Sequence, residues 1–476
     1  MKNSIYWYDY ETFGIDPRFD RLSQFAGIRT DEDLNIISDP LTLYCKPADD
    51  CLPDPHACLI TGITPQKTLT DGINEAEFIA TIHQEFSRPN TCIAGYNNIR
   101  FDDEFTRNAL YRNFFNAYAH EWQHGNSRWD IIDTVRLTRA LRPDGINWPE
   151  QDGQPSIRLE LLTSANDIKH EAAHDAMSDV YATIAVAKLI KDKQPRLYDY
   201  TYNLRKKTEV SKLINLRTHE AILHVSSRYS AERGAIAMVM PLCQHPTNKN
   251  GFIVYDLSVH PEQFLAVDTE EMAARLYTPA AELPEGVQRI PLKQIHINKC
   301  PVLVPLKTMD DKAAQRLSIN SETCLAHRDI ILQHIEEFAS KTTAIFHNND
   351  FPEVNDPDGQ LYSGGFFSRD DSQRIDTIRN TSANDLASLH FNFDDPRLEE
   401  MLLRYRARNY AETLNESERS RWNSYRHDKF NKPASSHRTM NQFFAEIEVI
   451  QQAPDTIGSQ LVLLESLIEY ANSIKI

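Results

Sequence analysis

The chain is poor in the features that mark secreted, disulfide-bonded and membrane proteins. Seven cysteines among 476 residues are an odd number, and none forms a C-x-x-C pair. Both facts argue against a disulfide framework and against a zinc ribbon. No apolar run approaches the roughly 18 residues a spanning helix needs, and no charged-then-apolar leader opens the sequence. A cytoplasmic protein without a membrane segment is expected. Internal repeats and low-complexity tracts are also missing. Positive charge is scarce: 51 Lys and Arg stand against 68 Asp and Glu, a formal net charge of −17. On average that balance disfavours a polyanion partner, but grip depends on where the cations lie, not on their sum. A chain of this length is expected to form about two to four domains with ample core.

Two acids one position apart carry the most information. Ile5-Tyr6-Trp7-Tyr8-Asp9-Tyr10-Glu11-Thr12 is aromatic and β-branched and stops at Phe13-Gly14, so it reads as a short strand. Alternate strand residues share a face, which puts Asp9 and Glu11 on one side with Trp7, and Tyr8 and Tyr10 on the other. Two like charges inside an apolar run are costly to bury, and a hard divalent cation such as Mg²⁺ or Mn²⁺ removes that cost. An isolated D-x-E is equally a sheet edge with two solvated acids, so further acids are needed to decide.

Two more segments supply them. Cys92-Ile93-Ala94-Gly95-Tyr96 passes into a turn at Asn97-Asn98, and helix formers begin at Asp102-Asp103-Glu104. Taken alone, Asp102 reads as an acid complementing a helix dipole. His174-Asp175-Ala176-Met177-Ser178-Asp179 leads into an amphipathic helix whose buried side is expected to carry Met177, Val180, Tyr181, Ile184 and Ala187. Asp179 falls beside that stripe. Five residues turn a helix by about 500°, so His174 is expected on the entering loop, with Asp175 as the cap.

Together these motifs resemble a known family. Asp9-x-Glu11, then Asp102, then His174-x4-Asp179 is similar to the four-acid-plus-histidine pattern of proofreading-type 3′→5′ exonucleases, histidine branch, on a ribonuclease H-like fold. The closer resemblance, nearly full length, is to the bacterial exonuclease I family. It is carried by Asp9-Tyr10-Glu11-Thr12-Phe13-Gly14, Ile60-Thr61-Gly62-Ile63-Thr64-Pro65-Gln66, Gly95-Tyr96-Asn97-Asn98, Gly145-Ile146-Asn147-Trp148-Pro149-Glu150, His296-Ile297-Asn298-Lys299-Cys300-Pro301 and Tyr405-Arg406-Ala407-Arg408-Asn409. The five pattern positions show no departure.

The resemblance implies an α/β chain with a mixed-sheet, ribonuclease H-like exonuclease domain (residues 1–190), an SH3-like β-containing domain (196–349) and a helical C-terminal domain (352–476). Strand-like runs at 21–29, 41–45, 221–225, 235–240, 251–255 and 301–304 fit that order, and Asn348 through Gly359 reads as a linker. Thr64-Pro65 reads as a helix opening with Thr as cap and Pro first. The implied activity is 3′→5′ hydrolysis of single-stranded DNA to 5′-mononucleotides, in DNA repair and recombination. Asp9, Glu11 and Asp179 are expected to ligate metal, Glu11 also to meet the terminal sugar, and Asp102 to hold a second ion partly through water. Asp103 is the rival to Asp102, ranked lower because the family's acid directly follows the phenylalanine. Two Mg²⁺ ions, with Mn²⁺ as substitute, would stabilise an in-line displacement, and His174 would act as general base.

The cations cluster between Arg100 and Arg158, interleaved with Tyr111, Phe114, Phe115, Tyr118, Trp122 and Trp129. Singly these residues read as core or as a solvated face. Beside a metal site, the mixture reads as a single-strand channel. Arg107, Tyr118, Trp122 and Arg136 are its expected contacts, and Arg158 resembles the family's substrate arginine. The expected partner, besides single-stranded DNA, is a single-stranded-DNA-binding protein whose acidic tail would meet a basic pocket including Arg142. A monomer is expected. Two other readings remain: a proofreading or short-RNA exonuclease of the same superfamily, and a non-catalytic nucleic-acid-binding module.

Overall fold

Strand β1 (Ser4–Thr12) lies inside a mixed sheet and is covered on both faces. It pairs antiparallel with β2 (Leu22–Thr30) and parallel with β4 (Thr91–Gly95), while β3 (Leu41–Tyr44) pairs with β2 at the far side. Its two faces have different partners, as the alternation requires. Tyr6, Tyr8 and Tyr10 pack into an aromatic core with Phe25, with Phe78 and Phe86 of α3 (Glu75–Phe86), and with Phe105 of α4 (Asp102–Arg112). On the other face Trp7 is fully buried and its indole N–H donates to Thr30 Oγ1 at 3.0 Å. Between β3 and α3 run α1 (Pro55–Thr61) and α2 (Pro65–Asp71). Each has proline at its start, and the caps are the Asp54 and Thr64 side chains.

This computed structural model describes residues 2–170, 175–347, 354–434 and 437–476. The chain divides into two units, one of residues 1–127, 171–181 and 353–476, the other of residues 128–170 and 182–352. In this division the C-terminal helices group with β1–β4. Helices Met440–Gln452 and Gly458–Ser473 build a core there with Phe13, Leu52, Cys58 and Ile63.

In the second unit, β5 (Ser127–Asp130) leads into α5 (Ile131–Leu141), capped by the Asp130 side chain. A short ribbon, β6 (Glu150–Gln151) and β7 (Gln154–Pro155), precedes α6 (Leu159–Ala165). Helix α7 (Ala176–Lys193) starts in the first unit and ends in the second. There follows a five-stranded antiparallel sheet of β8 (Ile222–Val225), β9 (Ile236–Gln244), β10 (Gly251–Asp256), β11 (Leu292–His296) and β12 (Leu303–Pro305), in the order β11-β10-β9-β8-β12. One expectation fails in α7. Tyr181 is 41% exposed, although Val180, Ile184 and Ala187 are buried. Its side of the helix is the one open to solvent, and a tyrosine tolerates that because its hydroxyl is hydrated.

The first unit holds its C-terminal helices by charge as well as by apolar packing. Asp50 is fully buried and receives Arg408 at 2.9 Å, Lys429 at 3.1 Å and Arg21 at 3.6 Å. Arg408 also reaches Asp358 at 2.6 Å, and Arg404 reaches the same carboxylate at 3.1 Å. Burial alone would push the Asp50 carboxyl up, but Arg408, Lys429 and Arg21 hold it well below the usual range. Removing one member of such a group leaves the others charged and dry. Arg408→Ala is therefore expected to cost about 3–5 kcal/mol, read as a lowered urea midpoint at unchanged slope. A midpoint within error of wild type would mean that Arg408 is dispensable to the fold.

Candidate active site

Beyond Trp7, strand β1 outruns one of its neighbours. Pairing with β4 ends at Trp7↔Ala94, whereas pairing with β2 continues past Glu11↔Gln24 to Thr12↔Leu22 across a register shift. The last turns of β1 thus have an open side, and the chain leaving β4 fills it. Gly95 allows this approach, since a Cβ there would lie 3.0 Å from the Tyr8 carbonyl oxygen. The chain then turns at Asn97, in the left-handed region at φ 67°, a conformation asparagine tolerates. Helix α4 begins at Asp102, whose Oδ1 accepts the Tyr10 backbone N–H at 3.2 Å.

The next acid arrives on α7. The Asp175 carboxylate accepts the Ser178 backbone N–H at 3.2 Å and so caps the helix, as expected. Gln24 of β2 donates to the same carboxylate at 3.4 Å. One turn on is Asp179. The outcome is a cluster in which ligand oxygens of Asp9, Glu11 and Asp179 all lie within 4.8 Å of one another.

Its electrostatics are those of crowded like charges. Burial first, then Asp102, Glu11, Asp179 and Asp175, raise the Asp9 carboxyl well above the usual range. Glu11, 8% exposed, is pushed up to about 8 by burial and then by Asp179, Asp102 and Asp175. Every one of these contributions acts against ionisation. Convergent carboxylate oxygens with no thiolate or imidazole among the three make a hard donor set, which fits a divalent cation of the Mg²⁺ or Mn²⁺ type. Asp103, the rival of Asp102, points elsewhere: its Oδ1 accepts the Tyr8 hydroxyl at 2.6 Å. His174 lies outside the described residues.

The residues expected to grip a strand fall into different environments. Arg107, an expected strand contact, is only 5% exposed. Glu121 takes its Nε and Nη2 at 2.6 and 3.1 Å, Glu104 takes Nη1 at 2.8 Å, and the Tyr362 hydroxyl lies 3.2 Å from Nη1. Two carboxylates thus pair with it in this arrangement. Tyr118 is half-buried beneath that guanidinium, 5.5 Å away, and 6.4 Å from the Tyr362 ring. Trp122 is 65% exposed and presents an open aromatic face. Arg112 pairs with buried Glu75 at 2.7 Å, and Phe114 and Trp129 are core. In the second unit Arg136 pairs with Asp133 at 2.5 Å, Arg158 is half exposed beside Glu160, and Arg142 donates to the Thr308 carbonyl at 3.0 Å. Sequence reading missed Tyr362 and Gln24. Each meets its partner across a long stretch of chain, with no local pattern to announce it.

A mixed sheet whose central strand meets two helix starts in a knot of carboxylates defines a metal-dependent exonuclease domain, and residues 6–187 match the family model described as Exonuclease. Residues 205–348 match the Exonuclease I SH3-like domain, and residues 355–474 the Exonuclease I C-terminal domain. The chain belongs to the exonuclease I family. It is 45% identical to exodeoxyribonuclease I of Haemophilus influenzae over 98% of both chains. A solved exonuclease I of Methylocaldum szegediense is 48% identical, with a TM-score of 0.94 over 99% of both chains. Escherichia coli exonuclease I in complex with a dA16 oligonucleotide is 45% identical, with a TM-score of 0.95 over the whole of both. Related structures include a zinc-bound E. coli complex with single-stranded DNA and an SSB/exonuclease I structure with an inhibitor. The chain is accordingly a hydrolytic exonuclease with a divalent-metal requirement. Among the described residues no helix is long and apolar enough to cross a membrane.

The crowded acids predict a pH signature. The folded pKa of Glu11 lies above its ordinary value of 4.5, so its stabilising protonation is complete below that value and is lost as pH rises through about 8. The melting temperature of metal-free wild type should fall across that window relative to Glu11→Gln, and added Mg²⁺ should raise it most at the alkaline end. Parallel melting curves for the two proteins at every pH, with and without Mg²⁺, would show that the carboxylates do not repel.

Proposed function

We propose that this protein is a single-strand-specific 3′→5′ exodeoxyribonuclease that releases 5′-mononucleotides and acts in DNA repair and recombination. The observation that carries the reading is the convergence of Asp9, Glu11 and Asp179 within 4.8 Å, in a chain of the exonuclease I family. Asp9, Glu11 and Asp179 would hold Mg²⁺, and Asp102 would complete the site for a second ion, with Mn²⁺ as a substitute. Such ions, when bound, supply positive charge to the attacking and leaving oxygens of an in-line displacement.

The chain's own groups do the rest. Glu11 orients the terminal sugar. His174 takes a proton from the attacking water onto its imidazole nitrogen. Trp122 offers a face on which a base can stack, and Arg158 pairs with substrate. A single-stranded-DNA-binding protein is the proposed partner, its acidic tail meeting Arg142. The protein would work as a monomer in the cytoplasm.

The test is mononucleotide release from end-labelled single and double strands while Mg²⁺ is titrated. Release from the 3′ end of single strands only is expected. Asp179→Ala should abolish turnover while strand affinity stays within a few-fold. His174→Ala should slow the reaction by roughly 10² to 10⁴ and remove the acid limb of the pH–rate profile. Near-normal turnover by Asp179→Ala, or activity surviving a chelator, would overturn the metal assignment, and an unchanged acid limb would remove His174 as base.

A further inference from the structure

Asp102 and Asp103 are adjacent at the start of α4, and about 100° of helix rotation separates their directions. Asp102 meets the backbone of β1, as described above. Asp103 is only 4% exposed and binds the opposite face of the same strand. Its Oδ1 accepts the Tyr8 hydroxyl at 2.6 Å and the Asn98 side-chain amide at 3.4 Å. One turn further along α4, the Thr106 hydroxyl donates to the Tyr10 hydroxyl at 3.1 Å. Tyr8 and Tyr10 alternate with Asp9 and Glu11, so α4 is pinned to the back of the strand whose front carries two of the clustered acids.

The start of α4 needs such a pin. The residue before it, Phe101, has φ −125° and ψ −74° and supplies no side-chain cap, so ordinary capping does not set the first turn. Strand pairing among the described residues does not reach it, since β4 has left β1 at Trp7, and the Tyr10 N–H bond to Asp102 is its contact with the β1 backbone.

We propose that Asp103 is a positioning residue for hydrolysis: its hydrogen bond with Tyr8 sets the first turn of α4 and thereby the carboxylate of Asp102 relative to Asp9 and Glu11. The bond is buried and short, at 2.6 Å. Partners that orient a ligand in this way are worth roughly 10- to 100-fold in activity or metal affinity when removed. The inference rests on the proposed function of the same site and reaches beyond it to a residue that would touch neither metal nor substrate.

The experiment compares Asp103→Ala, Asp103→Asn, Tyr8→Phe and the Asp103→Ala/Tyr8→Phe double variant of the full-length chain. Steady-state hydrolysis of a single strand gives kcat and KM, and electron paramagnetic resonance gives Mn²⁺ affinity. All assays run well below each variant's own melting temperature, so loss of folded protein does not enter. Asp103→Ala should lower kcat roughly 10- to 100-fold at unchanged KM and weaken Mn²⁺ binding. Asp103→Asn keeps an oxygen acceptor for Tyr8 and should stay within a few-fold of wild type. Tyr8→Phe should reproduce the loss, and the double variant should be no worse than either single one. Wild-type kcat and Mn²⁺ affinity in Asp103→Ala would overturn the proposal. So would an Asp103→Asn as slow as Asp103→Ala beside a fully active Tyr8→Phe, because charge and not the hydrogen bond would then matter. Wild type inert toward single strands in Mg²⁺ would instead overturn the proposed function, and the Mn²⁺ affinities would still decide the positioning role.

Discussion

Repulsion among carboxylates at the open end of β1 is the constraint around which the first unit is organised. Asp9 and Glu11 share a strand face, Asp179 enters from α7, and Asp102 stands on the free edge of the same strand. Brought together in a partly enclosed place, they raise the pKa of Asp9 and of Glu11. A fold can tolerate such a cluster only if the backbone around it is held firmly by other means. Here the means are the aromatic core behind β1, the Asp175 cap bridged to β2 by Gln24, and the bond between Tyr8 and Asp103.

The same unit contains the opposite solution to buried acid. Asp50 and Asp358 are as deeply enclosed as Glu11, yet arginines and a lysine pair with them. Their pKa falls where that of Glu11 rises. Acids of the first kind bind structure together; acids of the second kind leave a demand for positive charge that an ion can meet. Arg107 is paired in a similar way, with Glu121 and Glu104 as its carboxylate partners.

Legibility from sequence followed the range of the interaction. Strands β1 to β4 and the Thr64-Pro65 helix start were readable because alternation, capping and turn chemistry are local. Asp9, Glu11 and Asp179 were readable together because their short motifs, weak singly, are specific in this order and spacing. Tyr181 was misplaced because α7 is apolar around most of its circumference, so periodicity did not single out its exposed side. The environment of Arg107 was unreadable because Tyr362 lies 255 residues away and Glu121 fourteen, neither at a helical or strand spacing. The two-unit division was hidden for the same reason: Asp50 meets Arg408 across 358 residues.

The most direct measurement is anomalous diffraction from crystals of the protein soaked in Mn²⁺. The expected result is a manganese peak among the carboxylates of Asp9, Glu11 and Asp179, with oxygen ligands only. Absence of a peak there, with manganese bound elsewhere on the chain, would contradict the assignment of these acids as the metal site.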